Sequence, residues 1–296
     1  MKKGVHSTKK KGGRSTKKKV GNILVHMFLS VLAVVWVFPI FWVCMTSLRA
    51  GKGSYSTTFL PKELTFNNFT RLFTETSIFN FPRMFMNTLV VAVFSCLLSM
   101  IFLISIAYVM SRMRFPMRKP FLNVALILGM FPAFMSMIAI YYILKGIGLT
   151  EGVLKLVSLV LVYSGGANIL SFYVAKGFFD TIPKGIDEAA YMEGATKWHV
   201  LTKIVMPLSR PILVYTLLQS FIAPWTDFIF AKVIIGSEAK YYTVAVGLWN
   251  MLTKENIYQW YTRFAAGAVC ISIPIAALFI YVQRYYADGL SGAVKG

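Results

Sequence analysis

The sequence predicts an all-α, polytopic membrane protein of six transmembrane helices. Of its 296 residues, 57% are hydrophobic and the mean hydropathy is +0.63, too apolar for a soluble globule. The apolar residues fall in blocks near or above the ~20 residues that cross roughly 30 Å of hydrocarbon. Helix is the expected form, because backbone groups in lipid must satisfy one another.

The elements follow in order. A basic tail, 1–22, precedes the first span, Ile23–Ser47. That apolar run exceeds a signal-peptide core of about 7–15 residues, and no small-residue cleavage site ends it, so it reads as an uncleaved anchor. Met86–Met110 and Phe121–Leu144 form the second and third spans, separated by Arg112, Arg114, Arg118 and Lys119. Val153–Phe179 and Pro211–Phe230, the fourth and fifth, flank a polar loop, 180–208. Phe264–Tyr286 is the sixth, and 23–296 reads as one membrane domain.

The net charge of +20 would suggest nucleic acid in a soluble protein. Here its distribution sets topology instead: the tail cluster from Lys2 to Lys19 and the 112–119 cluster return to one face, so both termini and the loop 180–208 are expected in the cytoplasm. Connections 48–85, 145–152 and 231–263 are then extracytoplasmic. The tail's composition predicts disorder and attraction to anionic lipid, with no nucleic-acid partner.

Catalytic and metal chemistry find little support. Cys44, Cys96 and Cys270 lie singly inside spans and read as packing residues. His6, His26 and His199 are scattered, so no histidine metal site or triad is expected. No phosphate-binding G-x-x-x-x-G-K-[ST] loop occurs. The chain is expected to bind no cofactor, and any ATP must be bound by another protein. Asp227 is the clearest carboxylate within a span, which disfavours an ion-coupled secondary carrier and leaves it as the alternative.

Helix-disturbing residues recur inside the spans: Pro39, Gly129 with Pro132, Gly165 and Gly166 before Asn168, Pro224 before Trp225, and Pro274. They suit either a translocation path or close helix packing. Asn87, Asn168, Gln219, Thr226 and Asp227 are expected to face the bundle interior. Such amides and carboxylates, with aromatic neighbours, suit a sugar. Asn168, Gln219, Trp225 and Asp227 are the candidate path residues. Interhelical hydrogen bonding explains them equally well, and Asp227 also suits a cap on a neighbouring helix.

The loop 180–208 is more specific. In PKGIDEAAYMEGA, Pro183 suits a helix start, Asp187 and Glu188 suit its first turns, and Gly194 suits a left-handed stop. Thr196 can cap a second helix running through Trp198 and Leu201 towards Pro207. Ile186, Ala189, Ala190 and Glu193 share one face of the first helix. Small alanines there permit close approach of another protein, with Tyr191 and Met192 filling its pockets. A helix merely lying at the membrane interface would carry a larger apolar face.

The run EAAYMEGATKWHVLTKIVMP resembles the cytoplasmic signature of ATP-binding-cassette importer permeases: E-A-A, three residues, G, nine residues, I-x-L-P. Glu188, Ala189, Ala190, Gly194, Ile204 and Pro207 match, while Met206 replaces the usual Leu. NTLVVAVFSCLLSMIFLISIAYVMSRMRF, PWTDF, YYTVAVGLW and the ending QRYYADGLSGAVKG are similar to the carbohydrate branch, in particular its six-span maltose/maltodextrin-type subunit. The resemblance implies the type I importer permease fold, in the cytoplasmic (inner) membrane. It implies a second permease subunit, a cytoplasmic ATPase dimer holding ATP and Mg, and an extracytoplasmic sugar-binding protein. The ATPase-coupling residues it implies are Glu188, Ala189, Ala190, Met192, Gly194, Ala195, Ile204 and Pro207. Tyr241 to Tyr261 would meet the binding protein, and Leu290 to Gly296 would be a second ATPase contact. The nearest competitor is a permease for another sugar or polyol, such as a galacto-oligosaccharide.

Overall fold

A computed structural model describes residues 13–51, 58–165 and 169–293; the side chains at 13–20, 133, 169, 170 and 286–293 fall outside the description. Among the described residues the chain is helical, with one isolated extended pairing between Arg49 and Leu64.

Three helices are long and apolar enough to cross a membrane, and two bent pairs raise the number to five. The first is α1 (Gly13–Ser47). A short α2 (Asn67–Thr74) leads to α3 (Phe81–Arg112), whose start is set by Asn80 accepting the Arg83 amide at 3.0 Å. The predicted third span is not one helix. It divides into α4 (Arg118–Gly129) and α5 (Ala133–Gly146), sharply bent at the join. Pro132 has no N–H to continue the ladder and drives the preceding residue out of helix.

The predicted fourth span falls on α6 (Leu154–Gly165) and α7 (Ile169–Thr181), either side of residues 166–168, which lie outside the description together with Asn168. The fifth is also broken. After α8 (Lys184–Met192) and α9 (Lys197–His199), a π-helical stretch Val200–Val205 runs into α10 (Met206–Leu208). An 82° bend then opens α11 (Arg210–Thr226), which stops at Asp227 and is followed by α12 (Ile229–Ile235). Pro207 and Pro211 flank that bend, and neither can donate to the turn before it. A short α13 (Val244–Met251) precedes α14 (Ile257–Ala293). Pro39, Pro224 and Pro274, expected to disturb their spans, lie inside continuous helices α1, α11 and α14.

The buried apolar residues form two clusters. One gathers Phe81, Met84, Tyr163, Trp225, Val246 and Trp260. The other gathers Leu103, Tyr108, Phe172, Phe179, Val200 and Leu213. The middle helix α3 runs through both and packs on α6, α7 and α11. It is therefore the mechanical spine of the bundle.

By contrast α1, which packs chiefly on α14, has its apolar window unburied. Its last turn is held by Asn68, whose amide donates to the Ser47 and Arg49 carbonyls at 2.8 Å each and accepts from Thr262 at 3.0 Å.

Candidate functional site: the hairpin from Pro183 to Pro207

The polar loop folds as its residue types dictate. Pro183 sits at the N-cap of α8 with extended backbone, one position ahead of the helix. At the other end Ala195 N donates to Ala190 O at 2.9 Å and Gly194 N to Tyr191 O at 3.0 Å. This is a Schellman stop, and it needs the left-handed conformation Gly194 adopts, φ +84°. Thr196 then caps the second limb by accepting the His199 amide at 3.2 Å. Pro207 removes the N–H that would bond the Lys203 carbonyl in α-registry, and the wider π-helical stretch precedes it.

The hairpin presents a definite outer surface. Met192 is 89% exposed and Trp198 72%, and Glu188, Ala189, Tyr191 and Glu193 are also exposed. Ala190 turns inward. With Ala195 and Ile204 it is half-buried against the chain's own second cluster, so of the paired alanines only Ala189 faces out. Pro207 is exposed on the bend.

Both limbs are gripped by the last turn of α3. Tyr108 donates to Lys197 O at 3.2 Å, Ser111 to Asp180 Oδ1 at 2.6 Å, and Arg112 Nη2 to Ile182 O at 3.1 Å. Arg112 Nε also lies 2.9 Å from Asp187 Oδ2, with both side chains buried. Burial raises the Asp187 carboxyl above its ordinary range; Arg112 opposes that shift and the neighbouring Glu188 charge adds to it. Burial acts in the same direction on Asp180, but hydrogen bonds from Lys176 and Ser111 and the Lys176 and Arg118 charges take it below that range. Sequence reasoning read Arg112 only as a topology charge. The missed signal is a basic residue ending an apolar run in a chain whose polar loop opens on an acid.

The three described candidate path residues, Gln219, Trp225 and Asp227, do not share one environment. Gln219 is exposed on α11. Trp225 is 1% exposed, packed on Phe85 and Phe221 at ring distances of 5.2 and 5.9 Å. Asp227 accepts from Tyr163 at 2.7 Å and from the Phe230 amide at 3.2 Å, thus capping α12. Asn87 and Thr226 also bond backbone carbonyls, Asn87 those of Lys240 and Tyr242. A cavity of about 270 Å³ lies elsewhere, lined by Ser99, Phe102, Phe121, Leu128, Ser164 and Thr216 among others.

The described residues build a helical membrane bundle with an exposed polar hairpin braced on its central helix. The chain belongs to the family of binding-protein-dependent transport system inner membrane components, whose profile matches residues 100–291. It is 33% identical to the galactooligosaccharides transport system permease protein of Bacillus subtilis (strain 168), over 92% of this chain and 94% of that one. The maltodextrin transport system permease protein of the same organism is 32% identical, over 93% and 96%. The maltose/maltodextrin permease protein of Escherichia coli (strain K12) is 37% identical over 64% of each chain. A solved bacterial ABC transporter involved in alginate import has the same fold, with a TM-score of 0.76 at 22% identity, over 95% of this chain and 100% of that one.

Proposed function

We propose that this chain is one of two permease subunits of an ATP-driven importer for an oligosaccharide of the maltodextrin type. The α8 hairpin is the docking element for a cytoplasmic ATPase, which holds ATP and Mg; this chain holds neither. The observation that carries the reading is the outward set Glu188, Ala189, Tyr191 and Met192 on a short helix closed by a positive-φ glycine. A methionine 89% exposed at a helix end is an apolar group without a pocket in its own chain, and a partner's cleft supplies one.

In this arrangement residues 180–208 and both termini face the cytoplasm, in line with the basic residues at the α3–α4 turn. The connections 48–85, 145–152 and 231–263 face outward, where aromatic residues between Tyr241 and Tyr261 meet a sugar-loaded binding protein. Closure of the ATPase pair on ATP biases the bundle between inward-open and outward-open states. The solute path is assigned to Asn168 and Gln219 together with the second permease, with Trp225 and Asp227 ordering the helices beside it.

Galacto-oligosaccharide is the second reading, supported by the 33% identity to a permease for those sugars. Purifying the chain with its co-expressed partners and measuring ATP hydrolysis with maltodextrin or galacto-oligosaccharide decides between them. Stimulation by the first supports the primary reading, and stimulation by the second replaces it. Recovery of the chain without an ATPase, with uptake that persists after ATP depletion, overturns both.

A further inference from the structure

Three features of the inner turn of α3 belong together. Within five residues, Tyr108, Ser111 and Arg112 reach the second limb of the hairpin, the end of α7 and the start of α8. The α8 helix has two further ties: Ala190 supplies its main apolar contact and Tyr191 shares a side-chain hydrogen bond with Tyr108, while Glu188, Ala189 and Met192 are exposed. The charged tie is not built for static strength. Among the described residues Arg112 Nε and Nη1 and Asp187 Oδ1 have no aligned hydrogen-bond partner, although the Nε–Oδ2 contact is short. A buried ion pair is a poor stabiliser even when fully bonded, and a planar guanidinium beside a carboxylate normally bonds fork to fork. Here Nη2 is taken by the Ile182 carbonyl, and the carboxylate is met by the single Nε–Oδ2 contact. The pair therefore joins α3 to α8 through a single charged contact rather than a two-point clamp.

We propose that Arg112 and Asp187 form the latch through which displacement of α8 enters the membrane bundle, with Arg112 as a positioning residue on the spine helix. The inference rests on the reading of α8 as the ATPase-docking helix. When α8 moves, the carboxylate carries the guanidinium with it, and α3 transmits the shift to α6, α7 and α11, against which it packs. Ser111 and Tyr108 keep the flanking segments in step. The latch governs how much transport each ATP drives, not whether the ATPase binds.

The test uses the full importer in proteoliposomes, with Glu193→Cys, at an exposed position beside the docking set, introduced so that crosslinking reports docking. Arg112→Gln, Asp187→Asn and the double variant are compared for crosslinking to the ATPase, ATP hydrolysis and sugar uptake per ATP. The expected result is retained crosslinking and hydrolysis, uptake per ATP lowered by about tenfold or more in each single variant, and no further loss in the double, as for two residues of one unit. Arg112→Lys, which keeps the charge, restores at least part of the loss. Unchanged uptake per ATP with crosslinking intact, or losses that multiply in the double variant, overturns the latch alone. Absence of crosslinking in the protein with native Arg112 and Asp187 overturns the docking reading, and the latch with it. If Arg112→Gln does not accumulate, Asp187→Asn carries the same test, because it removes only the charge of a nearly isosteric group.

Discussion

Tyr163 donates its hydroxyl hydrogen to Asp227 across the break between α11 and α12, Oη to Oδ2 at 2.7 Å. The other carboxylate oxygen accepts the Phe230 amide. Eight residues before Tyr163 on the same helix, Lys155 donates to the Ile235 carbonyl at 3.0 Å and pairs with Glu238. Thus α6 holds both ends of α12, with the acid at its N-terminus and the base at its C-terminus, as a helix's end charges require.

Asp227→Ala removes the cap and strands the Tyr163 hydroxyl in a buried site, at a cost of about 1–3 kcal/mol. A lower unfolding temperature of the detergent-purified complex reports it. Asp227→Asn keeps an acceptor for Phe230 and a polar contact for Tyr163, so uptake stays within about threefold of the parent. Abolished uptake at unchanged stability assigns the carboxylate to the solute path instead.

Gly194 makes its position in the left-handed region possible, and an added Cβ there meets nothing within 4 Å. The penalty for any substitution is thus backbone strain, roughly 1–2 kcal/mol for most residues, rather than a clash. Gly194→Asp adds a charge beside Glu193 as well, and it is expected to abolish uptake while the chain still inserts. Gly194→Asn, neutral and tolerant of positive φ, keeps most of it. Equal loss in both variants places the effect outside the turn's electrostatics.

The hairpin was legible in the sequence because capping and stop residues act locally. Thr196 and Gly194 perform in the structure the roles their types suggest. Gly129 and Pro132 marked the break at Met130–Pro132, but the break at Asp227 was not legible. A hydropathy run shows which residues lie in lipid but not where a ladder is interrupted, and Pro224 and Pro274 sit in unbroken helices. The burial of Trp225 and the tie of Arg112 to Asp187 were not legible for a related reason. Whether a polar or aromatic group faces a path, the core or a hairpin is decided by helices distant in sequence, here by Phe85 and by Asp187.

Burying the Met192 side chain in an ATPase cleft contributes about 1.5–3 kcal/mol, or roughly 10- to 100-fold in affinity. Met192→Ala is expected to lower ATPase co-purification accordingly, and Glu188→Lys to weaken it further by reversing an exposed charge. Neither change touches the hairpin's internal bonds, so the thermal stability of the isolated permease stays within about 0.5 kcal/mol. Undiminished assembly in both variants removes these residues from the docking surface.

Close approach of α3, α13 and α14 depends on two glycines. A Cβ on Gly267 would stand 2.6 Å from Leu248 Cδ2 and 3.3 Å from Phe81 Cε2, and a Cβ on Gly247 would stand 1.9 Å from Met84 Sδ. The Leu248 methyl is a side-chain tip that can swing aside. The Met84 sulfur lies mid-chain, with its Cε and Cγ also 3.0 and 3.5 Å from the added atom, so the whole side chain must leave a site where it is 2% exposed. Overpacking of this kind costs about 1–3 kcal/mol, and Gly247→Ala is expected at the upper end with Gly267→Ala below it. Melting of the purified complex checks the order. Met84→Ala is expected to destabilise the native chain yet recover part of the Gly247→Ala loss, because the two positions compete for one volume. Additive losses in the double variant place the strain elsewhere than at the Met84 sulfur.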